Sequence, residues 1–130
     1  MTQEQEELLL KDLCARLPYG VWIERKLKSC KFGAKCMLHA HDINAIKRGV
    51  FDFYKPYLFP LSSMTEEQKQ EYTYIVNYIS PDDTDNWKEG EFIYVEQFTQ
   101  LMHFYYINHL DYMGLIPMGL AIDATGLNIY

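Results

Sequence analysis

The sequence predicts an α+β fold in which a small antiparallel β-sheet is packed by about three helices and closed by a turn-rich C-terminal segment. Apolar residues recur at intervals of three and four in three segments, and they alternate with polar residues between about positions 21 and 53. Glycine and proline recur in residues 109–130, which indicates turns. Because the chain has 130 residues, the length of one domain, we expect a single domain covering residues 1–130.

The first helix is predicted over residues 3–17. Its apolar stripe, spaced at i, i+3, i+4 and i+7, consists of Leu10, Leu13, Cys14 and Leu17. This stripe places Cys14 in the core and Asp12 on another face of the helix. Thr2 and Gln5 form a capping-box pattern at its start, and the Pro-Tyr-Gly sequence that follows ends it, because proline cannot continue the helical hydrogen bonds.

The sheet is predicted from three short strands. They are expected at residues 21–30, 34–42 and 50–53, with turns at residues 31–33 and near Gly49. In the first strand the apolar face carries Val21, Ile23 and Leu27, and the polar face carries Trp22, Glu24, Lys26 and Lys28. Arg25 interrupts the apolar face. Alternation therefore predicts one buried and one largely polar side of the sheet.

A connector is predicted over residues 55–61. It contains Pro56 and Pro60, and proline removes the amide donor that a central strand requires. We therefore expect an extended or turn-rich segment rather than helix or central strand. Its apolar residues between the prolines, including Tyr57, should pack onto the core.

Two further helices are predicted in the second half of the chain. Thr65 and Gln68 repeat the capping-box pattern at the start of one helix. Residues 80–90 indicate an exposed loop, and the largely buried third helix after it should end near Asn108. Its apolar stripe is Phe92, Val95, Phe98, Met102 and Tyr105. Irregular turns follow, with one short strand at residues 120–124.

Composition and charge limit the class of protein. The chain is 48% hydrophobic, 23% charged and 15% aromatic, with 11 tyrosines and a net charge of -6, which is the composition of a folded globular protein. The acidic N-terminus is unlike a secretory signal, and no stretch is apolar for the ~20 residues of a membrane span. Three cysteines without paired spacing predict reduced, mostly buried thiols. We therefore expect a cytoplasmic protein with no membrane association.

The charge is unevenly distributed. Residues 16–48 carry eight basic and two acidic side chains, whereas residues 66–130 carry two basic and eleven acidic ones. A basic segment suits an acidic partner such as nucleic acid. Alternatively, the two parts face each other or are simply solvated.

Three segments resemble a known family: residues 11–20 (KDLCARLPYG), 55–67 (KPYLFPLSSMTEE) and 108–121 (NHLDYMGLIPMGLA). They are similar to short uncharacterised proteins encoded by gut Bacteroidales and by their phages and integrated elements. The resemblance implies a phage or mobile-element origin and no particular activity. The family commonly has arginine where this chain has Phe59 and Met113, and phenylalanine at Leu110. If those arginines form an anion site, this chain has lost it.

Catalytic and metal-binding patterns are weak. His39 and His41 alternate on the predicted second strand, but alternation puts Cys36 and Asp42 on the opposite face, so we expect no metal site. The carboxylates of the 80–90 loop lack calcium-loop spacing. No nucleophile is paired with a base in a recognisable motif. His109 and Asp111 could form an acid–base pair, but a histidine at a helix end more often satisfies carbonyl groups.

The sequence therefore favours a binding protein over an enzyme. The leading interpretation is a non-enzymatic binding or adaptor protein whose partner is another protein, with no cofactor. The alternative is a nucleic-acid-associated accessory protein that uses the basic 16–48 segment; an unrecognised hydrolase comes third. The candidate binding residues are Trp22, Lys26, Lys28, Lys31, Tyr57, His109, Asp111 and Tyr112. For residues 109–120 we expect structural closure, with Asp111 half-buried and bound by turn amides near Gly114.

Overall fold

The computed structural model describes residues 1–79 and 87–130. Within them it contains four helices and a five-stranded sheet, so the α+β prediction is confirmed. The helices are α1 (Gln3–Arg16), α2 (Ala40–Lys47), α3 (Glu66–Ile79) and α4 (Trp87–Ile107). The strands are β1 (Trp22–Leu27), β2 (Ala34–Met37), β3 (Phe51–Pro60), β4 (Leu110–Asp111) and β5 (Ile122–Asp123).

The sheet has the order β2-β1-β3-β4, and β5 also pairs with β3. β1 is antiparallel to β2 and to β3, as predicted. β4 and β5 run parallel to β3, so the sheet is mixed rather than wholly antiparallel. Alternation could not reveal β4 because a strand of two residues shows no period. The short strand expected at residues 120–124 is confirmed as β5.

The predicted connector at residues 55–61 is wrong, because residues 55–60 form the second half of the central strand β3. Pro56 is opposite Ile23 at one end of the pairing with β1, and the next residue, Tyr57, already pairs with β5. Pro60 is the last residue of β3, opposite Asp111. The missing amide donors therefore fall where the strand changes partner or ends, and there a strand tolerates proline.

Helix α1 starts at the predicted residue, ends at Arg16 rather than at residue 17, and has a different buried face. The Thr2–Gln5 capping box is present, and a 3₁₀ turn at Leu17–Tyr19 followed by left-handed Gly20 ends the helix. The buried residues of α1 are Leu9, Asp12, Leu13 and Arg16. Cys14 is exposed, which corrects its predicted core position. The stripe was wrong because it counted only apolar residues, whereas an Asp–Arg pair supplies half of the buried face.

Helix α2 replaces the end of the predicted second strand. β2 stops at Met37 and α2 starts at Ala40, with His39 as its N-cap residue. The carboxylate of Asp42 accepts a hydrogen bond from the His39 backbone amide at 2.8 Å. Histidine is not among the residues that usually mark a helix start, so the start of α2 was not predicted.

Helices α3 and α4 follow the prediction except at the start of α4. The Thr65–Gln68 capping box is present, and α4 ends at Ile107, next to the predicted Asn108. Residues 87–90 belong to α4, not to the predicted loop, and the rest of that loop lies outside the described residues. Phe98 is 59% exposed, so the predicted buried stripe is wrong at this position. Tyr105 is buried, as predicted, and Phe104, which the predicted stripe did not include, is buried as well.

The core has two parts. The larger lies between the sheet and helices α1 and α2, and the smaller joins α4 to α3 and β4. The three cysteines are unpaired, as predicted, but Cys14 and Cys30 are exposed and Cys36 is partly buried. The expectation that these thiols are mostly buried is therefore wrong.

Candidate functional site

The predicted binding residues separate into two groups in the structure. Four of them, Trp22, Lys26, Lys28 and Lys31, belong to β1 and the turn that follows it. Three others, His109, Asp111 and Tyr112, follow α4. Tyr57 lies on β3, where its hydroxyl donates to Glu24 at 3.1 Å. The candidate binding residues therefore lie in two places, on or next to the sheet and after the end of α4.

The group after α4 surrounds a buried carboxylate. Asp111 is 5% exposed, and its two oxygens accept hydrogen bonds from the backbone amides of Leu115 and Ile116, both at 2.8 Å. The expectation that turn amides near Gly114 bind Asp111 is confirmed, although the residue is more deeply buried than predicted. Both oxygens are engaged by amides of the same turn, so the geometry suits a structural role.

Beside Asp111 lies a buried ion pair that the sequence analysis missed. Arg16 is 0% exposed; its Nε donates to Asp12 at 2.7 Å and its Nη2 donates to the Leu110 carbonyl at 2.7 Å. The guanidinium also lies over the rings of Tyr106 and Tyr112, at 5.4 and 5.8 Å from their centroids. The available signal was the i, i+4 spacing of an acid and an arginine on a helix.

The electrostatics of this pair are dominated by burial. Burial raises the pKa of the Asp12 carboxyl, although the neighbouring Arg16 charge and hydrogen bond act to lower it. The charge of Asp111 adds to the rise. Taking two charges out of water costs free energy that their attraction only partly offsets. We therefore interpret the pair as fixing the position of α1 against β4.

His109 packs on an aromatic ring instead of satisfying carbonyl groups. It has a left-handed backbone, φ 55°, and its ring stacks on Tyr130 with a centroid distance of 3.6 Å and an interplanar angle of 13°. Burial, with a smaller contribution from the Arg16 charge, lowers the pKa of His109 from 6.5 to about 4. The imidazole is therefore neutral at physiological pH, and the predicted carbonyl-capping role of its side chain is wrong.

Tyr130 ties this region to the sheet. Its hydroxyl donates to the Tyr57 carbonyl at 2.7 Å and accepts from the Trp22 backbone amide at 3.0 Å. Trp22 begins β1 and Tyr57 belongs to the neighbouring strand β3. A side-chain hydroxyl thus bridges the two strands at the end of their pairing, and it adds to the pairing of β5 with β3 in holding the C-terminal segment on the sheet.

Trp22 and Lys26 of the other group lie on the sheet face that α1 and α2 leave uncovered. At the far end of the same face, beyond Tyr57, Phe59 packs against the cluster formed by α3 and α4. Helices α1 and α2 pack against the opposite face, where Ile23 and Leu58 are fully buried. We call the uncovered side the open sheet face. Its side chains, alternating along β1, β2 and β3, are Trp22, Glu24, Lys26, Lys35, Met37, Phe53, Lys55 and Tyr57. All of them except Tyr57 are at least partly exposed.

Cross-strand pairing arranges these side chains in rows. Glu24 has Lys35 on one side and Lys55 on the other, and the next row pairs Lys26 with Phe53. The Phe53 ring reaches across β1 to Gly33, where an added Cβ would stand 3.3 Å from the ring. The absence of a side chain at Gly33 therefore leaves room for the Phe53 ring over the sheet.

The lysines of this face outnumber its acids. Lys26 is paired with Asp52 at 3.0 Å, while Lys35 lies over the ring of Trp22 at 5.7 Å from its centroid. Within the described part of the chain, Lys35 and Lys55 make no ion pair. The face therefore carries uncompensated positive charge close to aromatic rings.

The β1–β2 turn extends this surface. Phe32 is 84% exposed and follows Lys31, which is also exposed. Lys28 is exposed just before the turn. An aromatic ring and two lysines thus stand at the tip of the hairpin, beyond the Phe53 end of the open sheet face.

The histidine pair considered in the sequence lies at the start of α2 and not on a strand. The rings of His39 and His41 stack with centroids 5.5 Å apart. Asp42 is buried and lies 3.4 Å from Arg25. Among the residues that the structure describes, no three His, Cys, Asp or Glu side chains are placed to share a metal ion.

In residues 1–79 and 87–130, no helix is both long enough and apolar enough to cross a membrane. No protein-family model, curated protein or solved structure matches this chain, and the open sheet face is therefore the main guide to function.

Proposed function

We propose that this chain is a non-catalytic binding protein for single-stranded nucleic acid and that the open sheet face is its binding surface. The observation that carries the proposal is the placement of Trp22 and Phe53 on one uncovered face, with Lys26, Lys35 and Lys55 around them. Proteins that bind single strands combine aromatic side chains that stack on bases with basic side chains that follow the phosphates.

The spacing of the two rings suits separate bases. Phe53 is opposite Lys26, and Trp22 lies four residues before Lys26 on β1. At ~3.3 Å per residue, the two rings are therefore about 13 Å apart along the strand direction. Two bases can therefore stack on the two rings. Lys35 and Lys55 flank Glu24 in the row between the rings, and their ammonium groups are the candidate contacts for the intervening phosphates.

A single strand fits this face better than a duplex does. Stacking on a protein ring requires a base that is not stacked within a helix. The described residues form this face from strands β1, β2 and β3, with α3 and α4 packed at Phe59, whereas proteins that read a duplex commonly insert a helix into its major groove. The acidic side chains of α3 belong to a different part of the fold.

The experiment compares two charge-matched double variants. Lys35→Gln with Lys55→Gln removes two lysines from the open sheet face, and Lys11→Gln with Lys47→Gln removes two exposed lysines from α1 and α2. We expect only the first pair to weaken the binding of a labelled oligonucleotide. Its slope of log affinity against log salt should flatten by about 1.4, since each phosphate contact to a single strand contributes ~0.7.

An aromatic variant tests the stacking component. Phe53→Leu should weaken binding by roughly tenfold, because stacking on one ring contributes about 1 to 3 kcal/mol. Thermal melting of each variant verifies that the domain is folded. The proposal fails if low-salt anisotropy shows no binding, or if the control pair on the helices weakens binding as much as the pair on the sheet.

Protein binding is the second candidate function. It is favoured by large apolar side chains that are exposed on α3 and α4: Tyr74 is 61% exposed, Phe98 59% and Ile107 53%. Such side chains are frequent at protein interfaces. Pull-down with and without nuclease separates the two candidates, because a partner held through nucleic acid is lost on digestion and one bound by direct protein contact remains.

A further inference from the structure

A groove separate from the open sheet face lies between α3 and α4, beside the turn that follows α1. Its volume is about 610 Å³, within the range of small-molecule sites. Its walls carry the rings of Tyr19, Tyr74 and Tyr106, with Phe104 beneath them and the carboxylate of Glu71 at the edge. Phe104 is 2% exposed, so it forms a firm base.

The rings of this groove are oriented by neighbouring contacts. Tyr19 and Tyr106 lie with centroids 5.4 Å apart at an angle of 42°, so they form two inclined walls. The Tyr19 hydroxyl is 3.0 Å from His103 Nδ1, and the Tyr106 hydroxyl is 2.9 Å from that of Tyr112. Both aromatic walls are therefore positioned before any ligand arrives.

The electrostatic character of the groove points to a cation. Aromatic faces are negative and attract ammonium groups, and Glu71 adds a formal negative charge. The described residues that line the groove include no lysine or arginine. Arg16 approaches the Tyr106 ring at 5.4 Å, but it is fully buried and its charge is paired with Asp12.

We propose that this groove is a binding site for a small quaternary ammonium compound of the choline type. Three rings and one carboxylate match a cation whose charge is spread over methyl groups, because methyl groups make both apolar and cation–π contacts. An anion would be repelled by the same groups. The size of the groove favours a free small molecule, and the proposal does not depend on nucleic-acid binding by the sheet.

The test uses choline and its neutral isostere 3,3-dimethylbutan-1-ol with the intact chain, measured by calorimetry or by chemical-shift titration. The two probes have the same shape and differ only in charge. We expect choline to bind about tenfold more tightly, a difference of ~1.4 kcal/mol, because only the charged probe makes cation–π contacts. Equal affinities, or no saturable binding of choline, would overturn the proposal.

Two variants locate the site. Glu71→Gln and Tyr74→Leu should each weaken choline binding several-fold, whereas Glu67→Gln, on the same helix but outside the groove, should leave it unchanged. All three residues are exposed, so the variants should fold, which melting verifies. An equal loss in Glu67→Gln would show that only the general acidity of α3 matters. Tighter binding of a trimethyllysine peptide than of choline would overturn the assignment to a free ligand.

Discussion

Replacing Arg16 with methionine is expected to destabilise the domain by about 4 kcal/mol. The substitution leaves Asp12, which is 1% exposed, without its cation and removes the donor to the Leu110 carbonyl. Removing one member of a buried ion pair costs about 3 to 5 kcal/mol. Unfolding 130 residues carries an entropy of ~2.1 cal/mol/K per residue, so the melting temperature should fall by roughly 15 °C.

The double variant gives the decisive comparison. Asp12→Val with Arg16→Met removes both charges while keeping most of the buried volume, so the double variant should be more stable than Arg16→Met. Its free energy of unfolding should still lie about 1 to 3 kcal/mol below that of the wild type, because the Leu110 carbonyl lacks its donor. Urea or thermal unfolding of the wild type, both single variants and the double variant completes the cycle. The reasoning is refuted if the Arg16 variant is as stable as the wild type, or if the double variant is less stable than either single one.

Three further predictions concern the C-terminal segment. Asp111→Ala should cost about 1 to 3 kcal/mol because two buried amides lose their acceptor; unchanged urea unfolding would contradict this. Tyr130→Phe should cost about 1 to 2 kcal/mol, since the amide of Trp22 and the carbonyl of Tyr57 both lose their partner, and an unaltered melting temperature would argue against the bridge. The pKa of His109 is lowered from 6.5 to about 4, so between these values the unfolded chain binds a proton that the folded chain does not. Stability should therefore be complete above about pH 6.5 and about 2 kcal/mol lower at pH 5. A His109→Gln variant with the same loss between these pH values would show that another group is responsible.

Local patterns predicted the elements that local contacts determine. Both capping boxes mark helix starts because their hydrogen bonds join residues three apart. The alternation along β1 was visible because one face is buried by helices and the other is open. The sequence thus identified Trp22 and Lys26 of the open sheet face, but it did not identify Lys35, Lys55 or Phe53 as site residues.

Features that depend on distant partners could not be predicted in the same way. In the sequence, Asp12 and Arg16 are typical of a solvent-exposed helix face. Their burial depends on the Leu110 carbonyl, which accepts a hydrogen bond from Arg16 and is distant in the chain. Pro56 favours a break in the strand when only the sequence is considered. It is tolerated because β3 changes its partner from β1 to β5 at this residue. The position of Phe53 on the open sheet face depends on its pairing with Lys26 of β1, and the sequence prediction did not include that pairing.

The division of β3 between two sets of partners also has a consequence for the order of folding. Its first half pairs with β1, which precedes it in the chain, but its second half pairs with β4 and β5, which come after α3 and α4. Closing the longer loops is slower, and pulsed hydrogen exchange should show the amide of Phe59, bound to the His109 carbonyl, protected after those of β1. Until then the backbone of residues 57–59 is an unpaired edge, the kind that recruits other chains. Pro56 and Pro60, on either side of that edge, have no backbone amide to donate to a strand of another chain. The two prolines that made β3 hard to predict should therefore limit self-association of the partly folded chain.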